Sequence, residues 1–254
     1  MAEQGFTSPR FRLTPIAFTA WLFLNPAINS APIRNSEPPN AIIQRLLQMN
    51  QARLRALRAY HSQRHYVAEN KQVALRADVA VEEAYSYPGV KTFQVQSEKG
   101  SQFISRKVID KLIEAEVDAA NDANRDETQM TPDNYVFRQT GADVIGGREC
   151  YVFEVAPKSA KKYLMRGSVW IDAEDFAIVR MEGSPAKNPS FWTRKTHFVR
   201  SYEKHGVFWL PASMESESEL LIAGKSTLRI DYSNYDIDSA ADAALTVEAA
   251  KGGF

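Results

Sequence analysis

The spacing of apolar residues changes period several times along this chain, and each change marks a new element. From Ile42 to Tyr60 apolar positions recur at helical spacing: Ile42, Ile43, Leu46, Leu47, Met49, Leu54 and Leu57. Gln44, Arg45, Gln48, Gln51 and Arg55 take the other side, so this is an amphipathic helix that must cover something apolar. Asn40 stands where an N-cap is expected. The period then falls to two. Tyr66 to Lys71 predicts a strand, and Leu75, Ala77, Val79 and Val81 alternate with Arg76, Asp78, Ala80 and Glu82 as in a half-buried strand. Tyr87-Pro88-Gly89 turns the chain into a strand through Phe93, Val95 and Ser97, which Lys99-Gly100 closes. Helical spacing returns from about Gln102 to Ala120, with Ile104, Val108, Ile109, Leu112 and Ala115 on one side. Asp118 to Thr128 is acidic and without period, so it reads as a helix tail entering a loop.

Strand patterning dominates the rest. Tyr135–Phe137 opens a strand, and Gly146-Gly147 joins Asp143–Ile145 to Glu149–Val155 as a hairpin. Val169–Ile171 and Ile178–Met181 are β-type runs separated by the turn cluster Asp172-Ala173-Glu174-Asp175. Phe191 to Lys204 would be a strand of about 45 Å, long enough to require a twisted, curved sheet or a bulge. His205-Gly206 supplies the next tight turn. Val207–Leu210 returns, and Pro211 ends that run or puts it at an edge. Met214–Ile222 alternates, Ala223-Gly224-Lys225 turns, and Leu228, Ile230 and Tyr232 alternate again. The pattern predicts an α+β, mainly β fold: an incomplete antiparallel β-barrel of about eleven strands, with two helices covering its concave side. After Asp238 the chain is Ala-rich and reads as a short helix or a disordered tail.

Charge adds an exclusion. Lys+Arg and Asp+Glu both number 31 among 254 residues, and no basic block occurs, so no nucleic-acid partner is indicated. The N-terminus adds an address. Arg10 and Arg12 precede an apolar run from Leu13 to Leu24, followed by Pro26, Asn29, Ser30 and Ala31. That run is short for a bilayer span and has the order of a secretory signal, with a retained anchor as the other reading. The expected organisation is a signal peptide over 1–31, a Pro-rich linker over 32–40, one domain over 41–238 and a tail over 239–254. The periplasm is the expected compartment. Cys150 is the single cysteine and cannot form an internal disulfide; in its strand-like run it reads as a small buried hydrophobe rather than a reactive thiol.

Catalytic and metal motifs are sparse. His61 and His65 stand at i, i+4 with no converging acid, and read as a solvated helix end or strand start. Glu215, Glu217 and Glu219 share one face of a strand, opposite Met214, Ser216, Ser218 and Leu220, and read as a charged solvent face. No G-x-S-x-G, G-x-G-x-x-G, Walker loop or H-E-x-x-H is present, so an enzyme, a cofactor and a metal are not expected. Aromatic residues are the remaining signal. Trp170, Phe176, Trp192, Phe198, Tyr202, Phe208 and Trp209, with Met214, Ser216, Ser218 and Leu220, form the candidate lining of an apolar ligand cavity. Two serines on an inward face are odd for a fully packed core and suit a sheet that leaves room for a ligand.

Four segments carry a family resemblance. They are Gly167-Ser168-Val169-Trp170-Ile171-Asp172 with Phe176-Ala177-Ile178-Val179-Arg180; Lys187-Asn188-Pro189-Ser190-Phe191-Trp192; Tyr202-Glu203-Lys204 with Phe208-Trp209-Leu210-Pro211; and Asp231-Tyr232-Ser233-Asn234-Tyr235. In these, and in the order helix, strands, helix, strands, the chain from about 40 to 238 resembles the outer membrane lipoprotein-sorting proteins of the LolA/LolB/RseB-like superfamily. The resemblance implies a half-barrel with a helical lid and a hydrophobic cavity. It also implies a periplasmic, non-enzymatic carrier of lipoprotein acyl chains or another lipid, monomeric, with an inner- or outer-membrane protein as a further partner. The alternative it implies is an RseB-like envelope-stress sensor module that binds a protein partner. An undetected hydrolase is the reading from another class.

Overall fold

The computed structural model describes residues 37–120, 126–161, 163–188, 193–240 and 242–251. The expected signal peptide, most of the linker, and Trp192 lie outside the described residues. No described helix is long and apolar enough to cross a membrane.

Helix α1 (Pro39–Ala56) begins on Pro38-Pro39 rather than on an Asn40 cap. Proline at the first helical position lacks only an N–H that would have had no partner there. Ile42, Ile43, Leu46, Met49, Arg53 and Ala56 form its buried stripe. The chain becomes extended at Leu57 and runs directly into β1 (Leu57–Asn70), well before the strand start expected near Tyr66. Every second residue of β1 from Tyr60 faces inward: Tyr60, Ser62, Arg64, Tyr66, Ala68 and Asn70 are all buried. Ser62 and Arg64 erase the hydrophobic alternation in the first half of the strand, so pattern alone does not reveal it.

The remaining elements are β2 (Leu75–Ser86), β3 (Val90–Gly100), α2 (Gln102–Ile104), a π-helical turn (Ser105–Ile109), α3 (Asp110–Ala120), β4 (Tyr135–Ile145), β5 (Arg148–Pro157), β6 (Met165–Asp172), β7 (Ile178–Pro185), β8 (Thr193–His205), β9 (Phe208–Leu220), β10 (Gly224–Ser239) and α4 (Ala243–Lys251). Among the described residues, ten strands form one open antiparallel sheet in the order β3-β2-β1-β10-β9-β8-β7-β6-β5-β4. The sheet has ten strands where about eleven are expected, and the β-type runs of the sequence are more numerous than the strands because two pairs of runs merge. Tyr135–Phe137 and Asp143–Ile145 are one strand with an irregularity between Gln139 and Gly141. Phe208–Leu210 and Met214–Leu220 are both parts of β9. Pro211 therefore ends nothing: Tyr202 pairs Pro211 and Ser201 pairs Ser213, which leaves Ala212 as a bulge. A proline is tolerated there because the ladder to β10 is recorded only from Ser213 onward.

The helices divide the inner face between them. Helices α1 and α4 cover β4–β7, where Ile42, Leu46, Met49 and Val247 meet Tyr151, Phe153, Val155, Val169, Ile171 and Phe176. The α2–α3 segment covers β1, β2 and β10, where Ile104 and Ile109 meet Tyr66, Val79, Val81, Leu228 and Ile230. Val169 and Ile171 are completely buried, which sends Trp170 to the other face. Trp170, expected inside, is half-exposed there and donates its Nε1–H to Asp143 at 2.9 Å. An apolar–aromatic–apolar run does not reveal which face of a strand is covered.

Candidate functional site

Two polar assemblies are built around buried carboxylates, and they do different work. The first is at the β6–β7 turn. Asp172 Oδ1 accepts from the backbone N–H of Glu174 and Asp175, at 3.0 and 2.7 Å, and the Arg148 guanidinium reaches both Asp172 oxygens, at 2.5 and 2.8 Å. Asp175 takes Lys204 at 2.6 Å, Lys251 of α4 at 3.0 Å and the Trp209 indole N–H at 3.1 Å. Arg53 of α1 donates to the carbonyls of Asp175, Phe176 and Val207. Phe176, at φ 46°, stacks near Tyr151 and lies 4.2 Å beneath the Arg45 guanidinium. This assembly pins both covering helices to the sheet. The motif residues Asp172, Phe176 and Trp209 are structural ties in it.

The second assembly sits under α3. Arg64 and Glu83 have no exposed side-chain surface at all. Arg64 Nε donates to Glu83 Oε2 at 2.7 Å, and its Nη2 lies 2.5 Å from the same oxygen. Tyr60 and Ser62 add hydroxyl donors to Glu83 at 3.0 and 3.1 Å. Lys91 of β3 bridges Glu83 and Glu116 at 2.9 and 3.1 Å. Glu116 of α3 also pairs with both terminal nitrogens of Arg64. Arg200 of β8 approaches Glu116 only to 3.9 Å and donates to the Tyr232 hydroxyl at 3.3 Å. Three cations thus face two carboxylates.

The carboxylates stay ionised. Burial alone would raise both, but Lys91 and then Arg64 outweigh it and hold Glu83 and Glu116 below the usual carboxylate range. Asp175 is held low as well: burial works against ionisation and is overcome by Lys204, Lys251 and Trp209. Burial raises the Tyr66 hydroxyl to about 12. The consequence for stability has a definite sign. A carboxylate with a depressed folded-state pKa contributes stability that is fully present above its unfolded pKa of about 4 and is lost as pH falls through its folded value. Urea midpoints are therefore expected to hold steady near neutrality and drop below about pH 4. Equal midpoints at pH 7 and pH 3 would contradict these pairings.

The sequence signal for this assembly was present but faint. Glu83 is the fifth member of the period-two series Leu75, Ala77, Val79, Val81, so a charge occupies an inward position. Arg64 pairs with Val81 and Tyr232 in the flanking strands, and those apolar partners mark its position as inner.

The aromatic and apolar residues singled out in the sequence separate into groups. Phe198 and Tyr202 on β8, and Met214, Ser216, Ser218 and Leu220 on β9, come together on the inner face and are half-buried. Phe176 and Phe208 are in packed core, Trp209 is half-buried beside Asp175, and Trp170 is on the far side. Glu215, Glu217 and Glu219 are exposed on the outer face, with Arg229 on Glu215 and Lys225 on Glu217. The Ser218 hydroxyl bonds Thr196 across the strands at 2.9 Å. His61 and His65 also face outward, His65 against Asp78 at 2.8 Å. Cys150 is buried, and burial pushes its thiol up to about 12, consistent with a packing role.

Phe198 packs against the core beneath α1 and α4, whereas Met214, its near neighbour on β9, packs against the core beneath α2 and α3. The inner face of β8 and β9 is therefore a seam between two covers. The class defined by this arrangement is an open antiparallel half-barrel with a helix-covered concave face and a polar assembly at the seam. A family model described as "-like: Uncharacterized protein" matches residues 120–248, half of the chain, and the protein belongs to that family. No curated protein sequence matches the chain. Among similar solved structures is a DUF1329 family protein from Desulfovibrio piger, at 17% identity and a TM-score of 0.44, covering 82% of this chain and 97% of that one. A putative outer membrane lipoprotein-sorting protein domain from Vibrio parahaemolyticus matches at 11% identity and 0.41, covering 80% and 97%. A LolA superfamily protein from Nitrosomonas europaea matches at 12% and 0.37, covering 82% and 96%. Likeness at this level carries no argument about activity, which rests on the chain's own geometry.

Proposed function

We propose that this protein is an exported, non-enzymatic binding protein for a lipid acyl chain, acting in the periplasm in the sorting or carriage of lipoproteins or other lipids. The observation that supports this reading is the seam. Phe198, Tyr202, Met214 and Leu220 remain half-exposed on the concave face, whereas the outer face of the same strands carries a ladder of ion pairs. An acyl chain gains about 0.8 kcal/mol per buried CH₂, so in this reading a chain lies along the apolar strip between the two covers and leaves when one of them shifts. Helix α3 suits the part of a moving cover, because none of its residues is fully buried. Its partly buried Leu112 and Ile113, with Glu116, hold it in place. In this reading residues 1–31 direct export and 41–238 form the binding domain.

Ser216 tests the seam. It lies between Phe198 and Leu228 in the paired strands, and unlike Ser218 it is not tied to Thr196. Ser216→Trp is expected to leave the thermal midpoint nearly unchanged while weakening binding of a fluorescent fatty acid by about tenfold or more, equivalent to roughly 1.4 kcal/mol. A packed seam would instead be strained by the ring, at a cost of about 1–3 kcal/mol in stability. Loss of stability, or undiminished binding, would count against a lipid site there. Mass spectrometry of an organic extract of the protein purified from its native host would name the ligand.

A further inference from the structure

Among the described residues, Arg200 is a buried cation with an unfilled donor and no close carboxylate. Its Nε is buried and, among the described residues, has no hydrogen-bond partner. Its closest carboxylate contact, Glu116 at 3.9 Å, is at the limit of an ion pair. Glu116 is already engaged by Arg64 and Lys91 at shorter range, and Glu83 by the same two cations. The rings of Tyr202 and Tyr232 stack on the guanidinium at 5.7 and 5.9 Å, but a ring face accepts no directed bond from Nε. A buried cation with an unfilled donor is costly to keep unless something fills it. The side chain as a whole is not sealed off, with 27% of its surface exposed.

Its neighbours are those of the seam. In the strand register Arg200 lies opposite Met181 on one side and Met214 on the other. Phe198 is two residues back on the same face, and the Tyr202 hydroxyl rests on the Met181 sulfur at 3.2 Å. A guanidinium with one unfilled donor and only a distant carboxylate thus stands beside a half-exposed apolar strip. That juxtaposition fits one kind of ligand: an anionic head on an apolar chain.

We infer that Arg200 is the head-group site of the seam, and that the protein takes a single-chain amphiphile with a carboxylate head, a long-chain fatty acid. The carboxylate occupies the excess positive charge that Glu83 and Glu116 leave on Arg64, Lys91 and Arg200, accepting from the Arg200 guanidinium. The chain runs along Met214, Phe198 and Ser216 toward Leu220. This inference rests on the proposed lipid-binding reading and sharpens it: affinity depends on the charge of the head as well as on the chain.

Parinaric acid and its methyl ester separate the two claims, because they share a chain and differ in charge. The full-length processed protein is titrated with each, alongside Arg200→Gln and Arg200→Lys, with a thermal midpoint for every variant. The acid is expected to bind about tenfold or more tightly than the ester, a difference of roughly 1.4 kcal/mol. Arg200→Gln should remove that preference without weakening ester binding, and Arg200→Lys should restore part of it. Inorganic phosphate at millimolar concentration should not displace the acid, since it lacks a chain. If acid and ester bind alike in the wild type, or if Arg200→Gln weakens both equally, the head-group assignment is overturned while the lipid reading stands. If the acid is displaced by phosphate alone, the site is an anion site without a chain and the inference fails. If neither probe binds, the inference and the lipid reading fail together.

Discussion

Arg64→Ala is expected to destabilise the protein by about 3–5 kcal/mol, the usual cost of removing one partner from a buried ion pair. The cost arises from what remains. Glu83 is fully enclosed, and it would keep only Lys91, Tyr60 and Ser62 around a charge that Arg64 now meets through two nitrogens. Glu116 would lose its bidentate partner, and with it the strongest tie between α3 and the sheet. The guanidinium also fills space, lying 4.8 Å from the Phe93 ring and 4.9 Å from that of Tyr232, so alanine leaves a void as well as a charge. Arg64→Leu combined with Glu83→Leu should cost less than the sum of the two single changes, because the pair's desolvation penalty disappears along with its attraction. Urea unfolding of the two singles and the double measures this directly. A single change costing under about 1 kcal/mol would show that the pair is not enclosed as described.

Gly183→Val is the second change with a large expected effect. Gly167 and Gly183 face each other in the β6–β7 ladder on the inner side of the sheet. A Cβ on Gly183 would lie 2.1 Å from the carbonyl oxygen of Arg166 and 2.9 Å from the Gly167 Cα. Both neighbours are backbone, so no side chain can swing away and the strands themselves must part. The absence of side chains at this pair lets the two strands approach closely where the sheet curls beneath α1 and α4. The expected cost is at or above the upper end of the roughly 1–3 kcal/mol seen for overpacking. Gly141→Ala is the control, because a Cβ there meets nothing within 4 Å. If both variants unfold at the wild-type urea midpoint, the close approach is wrong.

Period and turn chemistry by themselves determined much of this protein. Glu215, Glu217 and Glu219 declared an outer face by their spacing, and that face is exposed. The turns at Asp172–Asp175 and His205-Gly206 separated strands that do pair as neighbours. The helical stripe of Ile42, Ile43, Leu46 and Met49 required an apolar surface beneath it, and one is there. These features were legible because each depends on residues a few positions apart.

What required the tertiary structure depends on distant partners. The pairing of Arg64 with Glu83 is one case, since nothing local says that Lys91 and a glutamate on a later helix will join them. Trp170 looked buried because alternation tells two faces apart without saying which one a helix covers. Pro211 reads as a strand end or an edge position, and only the ladders show that β9 runs on through it with a bulge at Ala212, beyond the pairing to β10. Val247, in the Ala-rich stretch after Asp238, lies in the core only because α4 meets α1, at the far end of the chain. The seam itself has the same origin. Phe198 and Met214 are ordinary strand residues in sequence, and their half-exposure follows from where two separate helical covers stop.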